Sequence, residues 1–321
     1  MILTNLKLTE LTGDFLKKNK FISHKIENNF IQYKKLYFNT SFFENLSFKI
    51  VTEDNAVYCP LTLEKKDGTT EINFFGDPVE IFSKKKLDRK LSDYLIKHFS
   101  NLKQKYNISN LFFILRGESE EKNNDKNTQK INKIFSDVYI NLNLDKSKIL
   151  ANFTATLRNE LKKEYDFTEY LIINKENYNK NEIFKMQEMH LAVSEKETRS
   201  KDTWSQNENM ILDDNAFLIK VIHKNKTISY SFFYINQTIC TYFSSCTLRE
   251  YFKTVRNISH KSLWHAINYA KNKSDNFFIG SLTKYSKEKI STKELEIEKF
   301  KKKFNKNTEI SCLYEDIPNS F

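Results

Sequence analysis

The stretch from Arg256 to Phe304, RNISHKSLWHAINYAKNKSDNFFIGSLTKYSKEKISTKELEIEKFKKKF, decides how the rest of the chain is read. Leu263, Ala266, Ile267 and Ala270 recur at three- and four-residue spacing, which predicts an amphipathic helix over 259–271 with Ser259 placed to cap it. The apolar run Phe277-Phe278-Ile279 predicts a strand that stops at Gly280, the only glycine in the last two hundred residues. A glycine lets the backbone approach a ligand or turn without a Cβ clash. A mobile polar segment is expected next. A second helix follows, carrying Leu295, Ile297 and Phe300 inward and ending on Phe300-Lys301, with Phe304 beyond.

Working outward, residues 216–223, 227–235 and 238–243 read as three antiparallel strands joined by the turns Lys224-Asn225-Lys226 and Asn236-Gln237. Before them come a strand at 170–173, a helix over 182–193, a polar loop over 194–204 and a helix over 206–212. Ile149, Phe153, Leu157 and Leu161, at four-residue steps, predict a helix over 145–164 capped by Asp145 or Ser147. A last strand covers 309–314.

The N-terminal half begins with scattered apolar residues, Phe15, Phe21, Ile22 and Phe30, that define no period. Residues 46–51, 57–63 and 70–75 then predict an antiparallel meander that breaks at Gly76-Asp77-Pro78. Leu87, Leu91, Leu95 and Leu102 mark a long helix over 84–106. A buried strand over 110–115 ends at Arg116-Gly117. The polar run 118–130 reads as an exposed, protease-sensitive loop, and Val138-Tyr139-Ile140 as another strand.

The helix, glycine-ended strand, polar segment and Phe-Lys-x-x-Phe helix resemble the C-terminal half of the FemAB-like transferases, a branch of the GNAT-like acyltransferases. Asn305 stands where that family usually carries glycine. The run from Leu157 to Lys163, LRNELKK, resembles the family's arginine-bearing connecting helix. The resemblance covers the second half of the chain. It implies an α/β (α+β) fold of two GNAT-like domains packed as one body, with mixed, largely antiparallel sheets flanked by helices. The domains would be 1–144 and 145–321, their two sheets meeting near the helix 145–164, with a substrate groove at the junction. The implied activity is N-acyl transfer to the amine of a small precursor such as an amino sugar or cell-envelope glycan precursor. The donor would be acyl-CoA or aminoacyl-tRNA, with no tightly bound cofactor.

Composition bounds the alternatives. A chain of 321 residues has room for two domains, and 27 phenylalanines and 16 tyrosines supply a core despite a hydrophobic content of 39%. The formal charge of +11 points to an anionic partner, but only six of the 52 basic residues are arginine, the side chain favoured for bidentate phosphate recognition. Basic residues clustered with exposed aromatics would support RNA binding; here lysines are scattered on faces that helices solvate. RNA binding and a non-catalytic scaffold on the same fold are the rival readings. Cys59, Cys240, Cys246 and Cys312 have no C-x-x-C spacing, so reduced thiols, no metal site and no disulfide framework are expected. The N-terminus lacks a signal-peptide core and no run reaches the roughly 20 apolar residues of a membrane span, so a cytoplasmic protein is expected.

Several residues carry the expected chemistry. The resemblance places Lys301 near the acyl donor, where it would stabilise a phosphate or a developing oxyanion. On charge pattern alone it reads as a solvated member of Lys301-Lys302-Lys303. Its spacing from Ile297 and Phe304 sets it at the edge of the buried helix face. Tyr242, Ser244, Gly280 and Ser281 are expected to line substrate, Ser244 opening a hydroxyl-rich turn in place of a glycine-rich phosphate loop. Arg199, Lys201, Asp202 and Trp204 form a loop suited to gripping a sugar or nucleotide, although a chance surface grouping accounts for them equally. Arg116 and Arg158 are further phosphate candidates, although pairing with a helix C-terminus accounts equally for Arg158. His190 reads as a satisfied, partly buried histidine. No G-x-S-x-G, H-E-x-x-H or Walker motif occurs.

Overall fold

The computed structural model describes residues 2–6, 25, 27–40, 42–66, 68–83, 85, 87–109, 111–116, 131–305 and 308–315; the polar run 118–130 lies outside them. Short strands dominate the first half: β1 (Ile2–Asn5), then α1 (Asn28–Phe38), β2 (Phe42–Asn45), β3 (Phe48–Val51), β4 (Ala56–Cys59), β5 (Thr62–Lys66), β6 (Thr69–Asn73), β7 (Val79–Glu80) and β8 (Phe82–Ser83). The expected meander is split between two sheets. β3 and β4 join β1 and β8, whereas β5 and β6 join β2. Pro60 lies at the division, and a proline cannot donate to a ladder, so the strand expected over 57–63 ends at Cys59 and restarts at Thr62.

Helix α2 (Arg89–Tyr106) starts where the Asp88 carboxylate accepts the Leu91 amide and stops at Asn107 in the left-handed conformation. Leu91, Leu95 and Phe99 pack with Phe48, Val57 and Phe113 to form the core of this half. β9 (Phe112–Arg116) and β10 (Ile131–Asn141) complete it.

The connecting helix is two helices, α3 (Lys146–Asn152) and α4 (Ala155–Lys162). Phe153 is extended between them and fully buried, and the Thr154 side chain accepts the Leu157 amide to begin α4. A capping side chain competes with the helix ladder, and a buried aromatic holds the break. Next come β11 (Thr168–Ile173), α5 (Asn181–Ser194) and α6 (Lys201–Leu212). The polar loop expected to reach 204 ends earlier, because Ser200 caps α6 by accepting the Thr203 amide. β12 (Ala216–His223), β13 (Lys226–Ile235), β14 (Ile239–Thr247), α7 (Ile258–Ala270), β15 (Asn276–Ser286), α8 (Thr292–Lys302) and β16 (Glu309–Glu315) finish the chain. Asn257, not Ser259, stands at the start of α7.

The mixed α/β, largely antiparallel character matches the sequence reading, but two sheets meeting at the connecting helix are not what forms. A single nine-stranded sheet runs β11-β12-β13-β14-β15-β10-β16-β9-β7, so β10 of the first half lies between β15 and β16 of the second. Burial demands this. Val138 and Ile140 enter the core on one face while Tyr139 stacks with Phe278 on the other, and a strand buried on both faces cannot leave an edge of polar groups unpaired.

Alternation along β12 and β13 sends Phe217, Ile219 and Phe233 to the face covered by α3, α4 and α7. Leu218, Phe232 and Tyr234 go to the face covered by α1, α5 and α6. The four cysteines are buried. Among the described residues no group of three or more His, Cys, Asp or Glu side chains is placed to hold a metal, and no helix is long and apolar enough to cross a membrane.

Candidate active site at the split between β14 and β15

β14 and β15 run parallel, paired only from Ile239↔Asn276 to Thr241↔Phe278. Beyond that point β14 follows β13 to Thr247 while β15 follows β10 to Ser286, and the two part. Two bulges stand at the fork. Phe243 is the extra residue against β13, and Ile279 the extra residue against β10. Each bulge bends and overtwists its strand, which drives the two apart inside one sheet. Past the fork the two strands no longer pair with each other, and an extended ligand can add to such a split as a strand does.

Neither strand stops where the sequence pattern suggested. Ser244 lies within β14 and Gly280 within β15, because each strand still has a partner on its outer side. Tyr242 and Ser244 stand on β14 past the fork, and Gly280 and Ser281 on β15. The Tyr242 hydroxyl lies 2.5 Å from the Ser245 hydroxyl, and the Ser244 hydroxyl is buried without a partner among the described residues.

Gly280 adopts φ +125°, and a Cβ there would sit 2.5 Å from the Lys301 ammonium. Glycine is therefore favoured by its conformation, and any side chain there would make the lysine that crosses it shift. Helix α8 is built to deliver that lysine. Ser291 and Glu294 close its first turn as a capping box. Leu295 and Ile297 remain 42% and 41% exposed, so the helix is held at its C-terminal end rather than along the expected apolar face. Phe300 and Phe304 both pack on His260, with centroids 4.6 and 5.8 Å away, and Phe304 also meets Phe153 at 5.4 Å. Lys303 pairs with Glu160 of α4 at 3.1 Å. Lys301 Nζ then donates to the Ser281 carbonyl at 3.1 Å. Burial pushes its ammonium below the usual lysine range, against the pull of the Asp137 and Glu298 carboxylates.

Asp137, 1% exposed on β10, accepts hydrogen bonds from the Ser281 and Ser311 hydroxyls, the latter at 2.5 Å. A cavity of about 320 Å³ opens beside it, lined by Asp137, Tyr139, Asn152, Phe304 and Asn305 among others. The Asn305 amide donates to the Tyr139 carbonyl there. Sequence reasoning missed Asp137. The signal was a carboxylate two residues after Phe135 and directly before Val138-Tyr139-Ile140, an ionisable group inside an apolar strand. His260 was also missed; burial and the Lys303 ammonium push its imidazole well below the usual range, with Glu160 opposing them.

The structure thus gathers Lys301, Gly280 and Ser281 on one side of the fork, with Tyr242 and Ser244 on the other strand. The remaining candidates lie apart. Arg199 sits on the α5 and α6 face, its guanidinium donating to the Tyr33 hydroxyl at 3.0 Å, 3.3 Å from the His190 ring and 5.3 Å from the Trp204 ring centre. Trp204 is buried, whereas Lys201 and Asp202 are exposed in the first turn of α6. Arg158 donates to the Phe153 carbonyl at the end of α3 at 2.5 Å. Arg116 closes β9; its side chain lies outside the described residues.

No protein-family model and no curated protein matches the sequence. Solved structures do. FemX superposes with a TM-score of 0.57 at 11% identity, covering 99% of this chain and 96% of its own. A tandem GNAT protein from the clavulanic acid biosynthesis pathway gives 0.52 at 10% identity, with 98% of both chains covered. A GCN5-related N-acetyltransferase from Sphaerobacter thermophilus gives 0.52 at 9%, covering 100% and 96%. At such identities the shared property is the fold, over essentially the whole chain.

Proposed function

We propose that this protein is an N-acyltransferase that joins an activated carboxyl to the amine of a small precursor, an amino sugar or a cell-envelope glycan precursor. The observation that carries the reading is the fork between β14 and β15 with Lys301 laid across Gly280 at its edge. Amide formation of this kind asks little of the protein. The donor carbonyl must be held near an amine, and the oxygen that gains charge needs a donor in a site of low dielectric. Lys301 is that donor, and its hydrogen bond to a backbone carbonyl leaves further N–H groups to offer. Acyl-CoA or aminoacyl-tRNA supplies the activated carboxyl. In an acyl-CoA reaction the extended arm would lie in the fork and pair with the free edges of β14 and β15. Residues 1–144 and 145–321 are the two acyltransferase-like units, here sharing one sheet.

The test is an amine-acylation screen of the purified protein, pairing acetyl-CoA and charged tRNA with a panel of amino sugars and amino-sugar nucleotides. Transfer from one donor is expected. Absence of amide product from every pair would end the reading.

A further inference from the structure

We infer that Glu160 is a positioning residue for Lys301, acting through Lys303 on the last turn of α8; the inference rests on the acyl-transfer reading above. Lys301 can serve a developing oxyanion only if its ammonium is in place before the reaction. A shift of about 1 Å in such a group can cost on the order of 100-fold in rate. Its own helix does not fix it. No residue of α8 is buried, and the capping box ties the first turn of the helix to itself.

The supports of the helix end lie on other elements. At the break between α3 and α4 the Thr154 amide donates to the Lys303 carbonyl at 2.9 Å. Further along α4 the Glu160 carboxylate receives the Lys303 ammonium on both oxygens, at 3.1 and 3.3 Å. Its Oε2 also lies 3.4 Å from Nδ1 of His260, the ring on which Phe300 and Phe304 pack. Carboxylate and ammonium are only 17% and 28% exposed, so water and salt screen the pair less than one on the open surface.

Lys303 keeps helical backbone angles as the C-cap of α8. Residues two apart on a helix point about 200° from one another. Lys303 therefore reaches back to α4 while Lys301 reaches over Gly280 to the Ser281 carbonyl. The last turn is held between two lysines of opposite reach, and Glu160 sets how far that turn stands from β15.

Glu160→Gln keeps the shape and removes the charge; Lys303→Met keeps the stem and removes the ammonium. Each should lower kcat about tenfold on the active donor and acceptor with KM little changed. The double variant should lose no more than either alone, because the pair acts as one unit. Lys303→Arg, which can rebuild the pair, should stay within about threefold of wild type. A second readout needs no turnover: brief labelling with acetic anhydride, read by mass spectrometry as modification of Lys301 relative to the exposed Lys302. That ratio should be low in the wild type and rise several-fold in Glu160→Gln and Lys303→Met, well below their melting transitions. Should Glu160→Gln fail to fold, Lys303→Met, changed at the more exposed partner, decides alone. A pair that only stabilises the fold would lower the melting temperature and leave kcat of the folded protein and the labelling ratio unchanged. That result, or a rise in labelling without a fall in kcat, would overturn the inference and leave the acyl-transfer reading intact. If the wild type acylates no amine from either donor, the acyl-transfer reading falls, while the labelling ratio still decides whether Glu160 holds Lys301.

Discussion

Arg199 and Lys301 lie on opposite faces of one sheet and show two uses of a cation. Arg199 is surrounded by ligands from its own chain: the Tyr33 hydroxyl, Thr198, the His190 ring and the faces of Tyr37 and Trp204. Tyr33 and Tyr37 belong to α1, so the guanidinium ties a helix of the N-terminal half onto the α5 and α6 face. Lys301 instead has one backbone carbonyl, two carboxylates in range and a glycine beneath it. A scarce residue has become an anchor, and an ordinary member of a lysine run faces the candidate site. Rarity in the composition does not rank functional residues; the number of bonds left unmade does.

The sharpest test of that contrast is Lys301→Ala, which should lower transfer on the order of 100- to 1000-fold, the usual loss for removing one oxyanion donor, measured as kcat/KM on whichever pair the screen identifies. Its melting curve should stay within about 1 kcal/mol of wild type. Lys302→Ala, one residue along and exposed, should change neither, and equal activity in the two variants would erase the distinction. Gly280→Ala should act through the same lysine. The methyl displaces the ammonium and strains a backbone at positive φ, so activity should fall together with about 1–3 kcal/mol of stability in denaturant melts.

Arg199→Ala should show the converse profile. It leaves the Tyr33 hydroxyl without its guanidinium donor and removes the contact to His190 Nε2, and about 1–3 kcal/mol of stability should be lost, with kcat close to wild type in the fraction that remains folded. Hydrogen exchange should show α1 released first. A loss of kcat without a loss of stability would return Arg199 to the site.

The smallest effect concerns pH. The folded state holds His260 neutral, its pKa below the 6.5 of an ordinary imidazole, so below that value the unfolded chain binds more protons than the native one. Stability is therefore full above pH 6.5 and declines as the pH falls toward the lowered native value. His190 and His265 are shifted the same way by burial and neighbouring cations and add to the slope. His260→Gln should flatten the acid limb of the melting temperature between about pH 6.5 and 5, a window above most carboxylate titration. An unchanged limb would show that His260 exchanges its proton freely in the fold.

Much of the second half was legible because its signals are local. Helices α5 and α7 and strands β11 to β13 fall within about two residues of where periodicity and turn residues put them. The candidacy of Lys301 came from the resemblance and from its spacing to Ile297 and Phe304, against its own run of charge, which argues for solvent. The polar stretch 194–204 and the single helix 145–164 were misread because Ser200 and Thr154 act through one side-chain bond each, which average polarity and four-residue spacing do not register.

By itself the amino-acid sequence determined the α/β class and the placement of most helices and strands. Those properties follow from side-chain period, turn chemistry and capping over a few residues. Only the tertiary structure decided that both halves share one sheet, that β14 and β15 part after three pairs, and that Asp137, Lys301 and Ser311 meet. Strand order and bulges are settled by which partner buries each face and satisfies each backbone group. That balance joins residues more than 150 positions apart, as between Asp137 and Ser311, and leaves no mark on a local window.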